Sequence, residues 1–116
     1  MKAIINGKAG GDVEYISGAD NVINIQVLDD AGAVQNLTGD TSLELQVYSN
    51  PERSTVIASK AAVVGVAADG HGVVTLADNE VDFEDLNPGS GLSMAIIRTD
   101  GSADIYVDAG FTFRVK

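Results

Sequence analysis

Residues 42–48 read Ser42-Leu43-Glu44-Leu45-Gln46-Val47-Tyr48. Successive side chains of an extended chain point to opposite faces, so Leu43, Leu45 and Val47 share one side and Glu44 and Gln46 the other. Alternation of this kind predicts a half-buried antiparallel strand with the three aliphatic residues inward. The same period of two recurs in both directions along the chain. It places Ile23, Ile25 and Val27 on one face of residues 21–28. It then groups Val74 with Leu76, Leu92 with Met94 and Ile96, Ile105 with Val107, and Phe111 with Phe113 and Val115. One stretch, 58–68, competes. Its alanines favour helix, whereas Val63, Val64, Gly65 and Val66 favour strand.

The punctuation between these runs has the residues of tight turns. Asp29-Asp30-Ala31-Gly32 follows the run at 21–28, and Asp69-Gly70-His71-Gly72 separates 61–67 from 73–77. Asn87-Pro88-Gly89 marks a further turn. Thr99-Asp100-Gly101-Ser102 separates 92–98 from 103–107, and its Asp-Gly pair predicts a type I′ hairpin. Seven or eight short strands at this spacing, counting one at 12–16, predict an all-β sandwich or barrel. A short helical turn is expected at 78–86, where Phe83 among Asp82, Glu84 and Asp85 could plug one end of the core. Residues 21–116 are expected to form the sandwich. Residues 1–20, interrupted by Gly7, Gly10, Gly11 and Gly18, form either an N-terminal arm or an edge strand.

The chain has 116 residues, 45% of them hydrophobic, which suits one domain with its own core. Cysteine is absent, which excludes disulfides, a thiolate nucleophile and a cysteine-ligated zinc. Seventeen acidic and seven basic residues give a net charge of −10. The basic residues (Lys2, Lys8, Arg53, Lys60, Arg98, Arg114, Lys116) are scattered, which disfavours nucleic acid and anionic membrane as partners. No run approaches the roughly 18 apolar residues of a membrane span. The opening residues turn polar too soon for a signal peptide, so synthesis in a cytoplasm is expected. The acidity itself reads as solubility or as an acidic face for a basic partner.

No catalytic constellation emerges, and the chain reads as a non-enzyme without a cofactor. His71, the single histidine, lies between two glycines and reads as exposed turn decoration. The candidate calcium ligands are Asp29 and Asp30, and Asp82, Glu84 and Asp85. Neither group has EF-hand spacing, and a solvated loop is the plainer reading. Tyr48 and Tyr106 fall on the outward phase of their strands, which suits a protein contact. The candidate partner-binding residues are Lys2, Ile4, Ile5, Tyr15, Tyr48 and Tyr106.

From Ile23 to Val115 the order of signals resembles a known module. The strand ending in Asp29-Asp30-Ala31-Gly32 is followed by Val34-Gln35-Asn36-Leu37-Thr38-Gly39 and by Leu43-Glu44-Leu45-Gln46-Val47. After Gly72-Val73-Val74-Thr75-Leu76 come Leu86-Asn87-Pro88-Gly89, Ala95-Ile96-Ile97-Arg98, Asp100-Gly101 and Phe111-Thr112-Phe113-Arg114-Val115. This series resembles the immunoglobulin-like β-sandwich modules of tailed-bacteriophage virion proteins, notably the N-terminal domain of phage baseplate upper proteins. The resemblance implies an immunoglobulin-like antiparallel β-sandwich of about seven to eight strands. It also implies a structural virion role without catalytic residues. Baseplate proteins continue into further domains, whereas this sequence ends with the sandwich. The expectation therefore shifts to a small capsid decoration or head-fibre protein on the capsid surface. Such a protein would bind the major capsid protein or another virion protein, reinforce the shell, and form a homo-oligomer, with a trimer as first guess. The alternatives are a tail or baseplate adaptor and, from another class, a calcium- or carbohydrate-binding module.

The strand phase is directly testable. Leu45→Asp should destabilise the domain severely, since a buried unpaired charge is costly, while Glu44→Ala should be nearly silent in a denaturant titration. Equal effects would show the phase to be wrong.

Overall fold

The alternation at 42–48 is realised within a long strand at the centre of a sheet. The computed structural model describes residues 1–16, 18–49, 52–76, 91–108 and 110–115. Among them lie ten strands: β1 (Lys2–Ile5), β2 (Gly11–Tyr15), β3 (Asn21–Leu28), β4 (Asp40–Tyr48), β5 (Val56–Ala61), β6 (Val63–Val66), β7 (His71–Leu76), β8 (Gly91–Asp100), β9 (Ala103–Asp108) and β10 (Phe111–Val115). One sheet has the order β1-β3-β7-β6. The other has β2-β10-β8-β4-β5, with β9 also paired to β8. Neighbours are antiparallel except β2 and β10, which run parallel. This is a two-sheet sandwich of immunoglobulin type.

The strands beyond the expected seven or eight are β1, within the stretch expected as an arm or edge, and β5, which overlaps only the start of 58–68; two strands are also divided. The first strand is split between the sheets, β1 lying on β3 and β2 on β10. The last is split along β8, where β10 pairs with 91–93 and β9 with 96–100. The turn that makes the first split is Asn6-Gly7. Both residues have positive φ (50° and 79°), and Ile5 and Lys8 exchange backbone hydrogen bonds of 2.9 and 3.0 Å across them. That is the type I′ pattern. At the β8–β9 hairpin, expected to be type I′, only Gly101 has positive φ (64°). Asp100 pairs with Ala103, so Gly101 is the first of two loop residues, the position where a type II′ turn needs glycine.

The stretch 58–68 is strand on both sides of a sheet change at Ala62, closed by a 3-10 turn at Ala67–Asp69. Gly70 then takes a left-handed φ of 65°, and a Cβ there would meet the carbonyl oxygens of Gln35 and Val27 at 2.6 and 2.7 Å. Strand β5 escaped the sequence reading because it is an edge strand exposed along most of its length, so no alternation is written into it. The helical turn expected at 78–86, with Phe83, lies outside the described residues.

The core forms between the inward phases of the two sheets. Ile23, Ile25, Val27, Val74 and Leu76 face Leu43, Leu45, Val47, Met94, Ile96 and Phe113, all buried. Leu37 joins them, held by its amide bond to the Ala67 carbonyl, and Gly39, at φ 93°, leads on into β4. Residues 1–20 contribute an edge strand to each sheet, burying Ala3, Ile5, Val13 and Tyr15. The Tyr15 ring packs on Phe113 with centroids 5.8 Å apart.

One charged pair is built into this interior. Arg98 follows Met94 and Ile96 on the inward phase of β8 and is buried. Its Nε and Nη2 donate to Oδ2 and Oδ1 of Asp40, each at 2.8 Å. Asp40 reaches it because the β4–β8 register shifts by one residue between Asp40 and Ser42. Without that bulge, Asp40 would fall on the outward phase. Removing Asp40 leaves the buried Arg98, among the described residues, only the longer carboxylate contact to the exposed Asp100, 3.9 Å from Nη2. Asp40→Ala is therefore expected to cost about 3–5 kcal/mol in urea unfolding, and the double change Asp40→Leu with Arg98→Met considerably less.

Candidate functional site

The two outer faces of the sandwich differ in charge. Outside the buried Asp40–Arg98 pair, the strands of the six-stranded sheet hold Asp12, Glu14, Glu44, Asp100, Asp104 and Asp108 against Lys60 and Arg114. Strands β1, β3, β7 and β6 contain no Asp or Glu at all. Register places Lys2, Ile4, Val22, Asn24, Gln26, His71, Val73, Thr75, Val63 and Val66 on the outer side of this four-stranded sheet. Val63 is 75% exposed, Val22 55% and Val66 51%. In a chain with a net charge of −10, the strands of this sheet thus present a partly apolar outer side on which, among the described residues, they place no carboxylate. Interface cores are depleted in charged residues, and apolar patches of this kind mark contact sites.

This face ends in an edge, β6, whose four residues are all exposed. Beside it, between the sheets, lies an open cleft of about 500 Å³ lined by Leu37, Leu43, Ala61, Ala62 and Val64 among others. It arises because the chain leaves β5, joins the other sheet at β6, and is tied back only by the Ala62 amide to the Leu43 carbonyl (2.7 Å).

The opposite face is polar and closed by side-chain bonding. Tyr48 Oη donates to Gln46 Oε1 (2.6 Å), Gln46 Nε2 to Glu44 Oε1 (3.0 Å), and Ser59 Oγ to Glu44 Oε2 (2.9 Å). Glu44 is therefore half-buried and bonded, so Glu44→Ala removes two hydrogen bonds. About 1 kcal/mol each bounds its cost, still well short of Leu45→Asp. Tyr48 packs with Ala95 and Ile97 on this outer side. Its phenol is pushed up to about 12 by burial and by hydrogen bonding to Tyr106. Arg114 Nε donates to Asp12 Oδ2 at 2.9 Å, and Glu14 and Asp104 lie exposed.

The expected contact residues divide accordingly. Lys2 and Ile4 lie on the carboxylate-free face. Tyr106, 60% exposed, lies on the acidic one. Ile5, Tyr15 and Tyr48, expected to meet a partner, are inside the monomer. Ile5 and Tyr15 are on inward phases, and Tyr48, although on an outward phase, is covered within its own face. His71 is not turn decoration. It is the first residue of β7, half-buried and paired with Gln26 and Val66. Of the calcium candidates, Asp29 spends Oδ1 on the amides of Ala31 and Ala33 (2.9 Å each), and Asp30 pairs with the N-terminal ammonium, which lowers its pKa. Asp82, Glu84 and Asp85 lie outside the described residues. Among the described residues, no three acidic or histidine side chains gather to hold an ion.

No protein-family model matches the chain, and no curated protein matches it.

Tyr48 supplies a pH test of the acidic face. Its folded pKa lies above its ordinary value of 10, so its contribution to stability is complete below pH 10. It is lost as pH rises towards 12, because the unfolded chain ionises first. In a tyrosinate absorbance titration, the late ionisation of Tyr48 should move towards 10 in Tyr106→Phe.

Proposed function

We propose that this protein is a non-catalytic structural module that docks onto another protein through the outer face of its four-stranded sheet. The observation that carries the proposal is the exclusion of every carboxylate from β1, β3, β6 and β7 in so acidic a chain. Burying a carboxylate at an interface without a partner is costly, and a face without one avoids that cost. The acidic opposite face stays in solvent and keeps the bound protein soluble.

The resemblance of the motif series to tailed-phage virion modules supports a particle as the setting. On that reading the protein decorates the capsid, its partner is the major capsid protein, and its binding stabilises the assembled shell by mass action. A tail or baseplate adaptor is the alternative within the same class.

Immunogold labelling of intact particles separates the two, since the capsid reading expects label on the head. Label on neither head nor tail would contradict a virion role. The docking face has its own test. Val22→Glu places a carboxylate on an exposed position of β3, opposite the neutral Thr75 of β7. It should weaken binding to the particle at least tenfold, about 1.4 kcal/mol, while leaving the fold intact. Undiminished binding would move the contact elsewhere.

A further inference from the structure

Each sheet ends in edge strands whose unpaired backbone groups invite pairing with another chain. Natural sandwiches blunt such edges with charge, bulges or proline. Four of the edges here carry charge, and the fifth, β6, has only a register shift against β7. Lys2 lies on β1, Asp12 and Glu14 on β2, and Asp104 on β9, while β5 has Lys60 and a register shift against β4. Strand β6, Val63-Val64-Gly65-Val66, has no charge and three β-branched side chains. The uncharged run extends beyond the strand, from Ala61 to Ala68, with Lys60 before it and Asp69 after it.

We infer that β6 pairs with β6 of a second copy of this chain, antiparallel about a two-fold axis. The register on β7 shifts between Val64 and Val66, with Val63 opposite Val73 and Val66 opposite His71. The shift brings Val63 and Val66 onto the same outer face. A two-fold axis between Val64 and Gly65 then sets Val63 against Val66 of the other copy, and the reverse. Both pairs are valine on valine on one face, the kind of cross-strand contact that stabilises sheets. An isologous contact of this sort closes at two copies and does not propagate.

Charge selects the same occupant. Two chains of −10 repel wherever their carboxylates meet, and strand β6 itself brings none to the contact. The joined sheets form one eight-stranded sheet whose outer face continues the carboxylate-free surface across both copies. Four residues per copy make a small contact, below the roughly 1,200 Å² of a stable interface, so the dimer forms at high local concentration. Symmetric display on a particle would supply such a concentration.

The inference goes beyond the docking reading and can fail separately from it. Sedimentation equilibrium on the full chain should show monomer at low micromolar and dimer as concentration approaches millimolar. Val63→Lys with Val66→Lys, at two exposed positions, should abolish the dimer with unchanged melting temperature. Val22→Glu, away from the edge, should leave it. In the wild type, amide resonances of Val63–Val66 should shift with concentration while those of β2 do not. A chain that stays monomeric throughout, a dimer that survives the lysine pair, or concentration-dependent shifts confined to β2 or β4 would overturn it.

Discussion

A guanidinium inside a sandwich core is tolerable only if a carboxylate meets it, and the geometry of the central strand pair follows from that constraint. Arg98 takes the inward phase of β8 behind Met94 and Ile96, and Asp40 answers it with two 2.8 Å bonds. The register of β4 on β8 is thereby fixed at one end. A slip of one residue would separate the pair and also turn Leu43, Leu45 and Val47 out to solvent. The bulge before Ser42 reverses the phase of β4 for one residue and delivers Asp40 inward. Everything that flanks this pair of strands inherits the register: β5 and its exposed residues on one side, β9 and β10 on the other.

The second constraint is the division of the first and last strands. The Asn6-Gly7 turn passes the chain from one sheet to the other, so β1 closes one edge and β2, parallel to β10, closes another. Asn21 secures the return, its Nδ2 donating to the carbonyls of Ile16 and Ala19 and its Oδ1 accepting from the Ile16 amide. One corner is left open. Where β5 hands over to β6, neither sheet has a further strand among the described residues, and the cleft and the apolar edge lie there. The partition of charge follows the same sheets, with carboxylates in the strands of one and none in the other.

Much of the fold was legible because burial on one face writes itself into the sequence as a period of two. Residues 21–28, 42–48 and 111–115 are strands with the expected phase. Where burial is two-sided or absent, the code falls silent. β8 is covered on both faces, so Ala95 and Ile97 are apolar too, and β5 is exposed along most of its length. The Asn6-Gly7 turn was legible but was passed over as an interruption. Arg98 was likewise readable as an inward residue from the phase of Met94 and Ile96, while its partner was not, since the bulge that turns Asp40 inward leaves no periodic trace. The carboxylate-free set of strands was invisible for a different reason. Its lack of carboxylates belongs to a set of strands that are not consecutive in the chain, and only the sheet order brings β1, β3, β7 and β6 together.

The account therefore rests on one asymmetry, carboxylates in the strands of one sheet and none in those of the other, which the proposed function reads as a docking face. Hydrogen–deuterium exchange on the chain, free and bound to the particle proposed as its partner, tests this reading most directly. The account predicts that binding slows exchange in β3, β6 and β7 and leaves β4, β9 and β10 unchanged. Protection confined to β4 and β9, around Glu44, Asp104 and Tyr106, would show that the acidic face makes the contact and would contradict it.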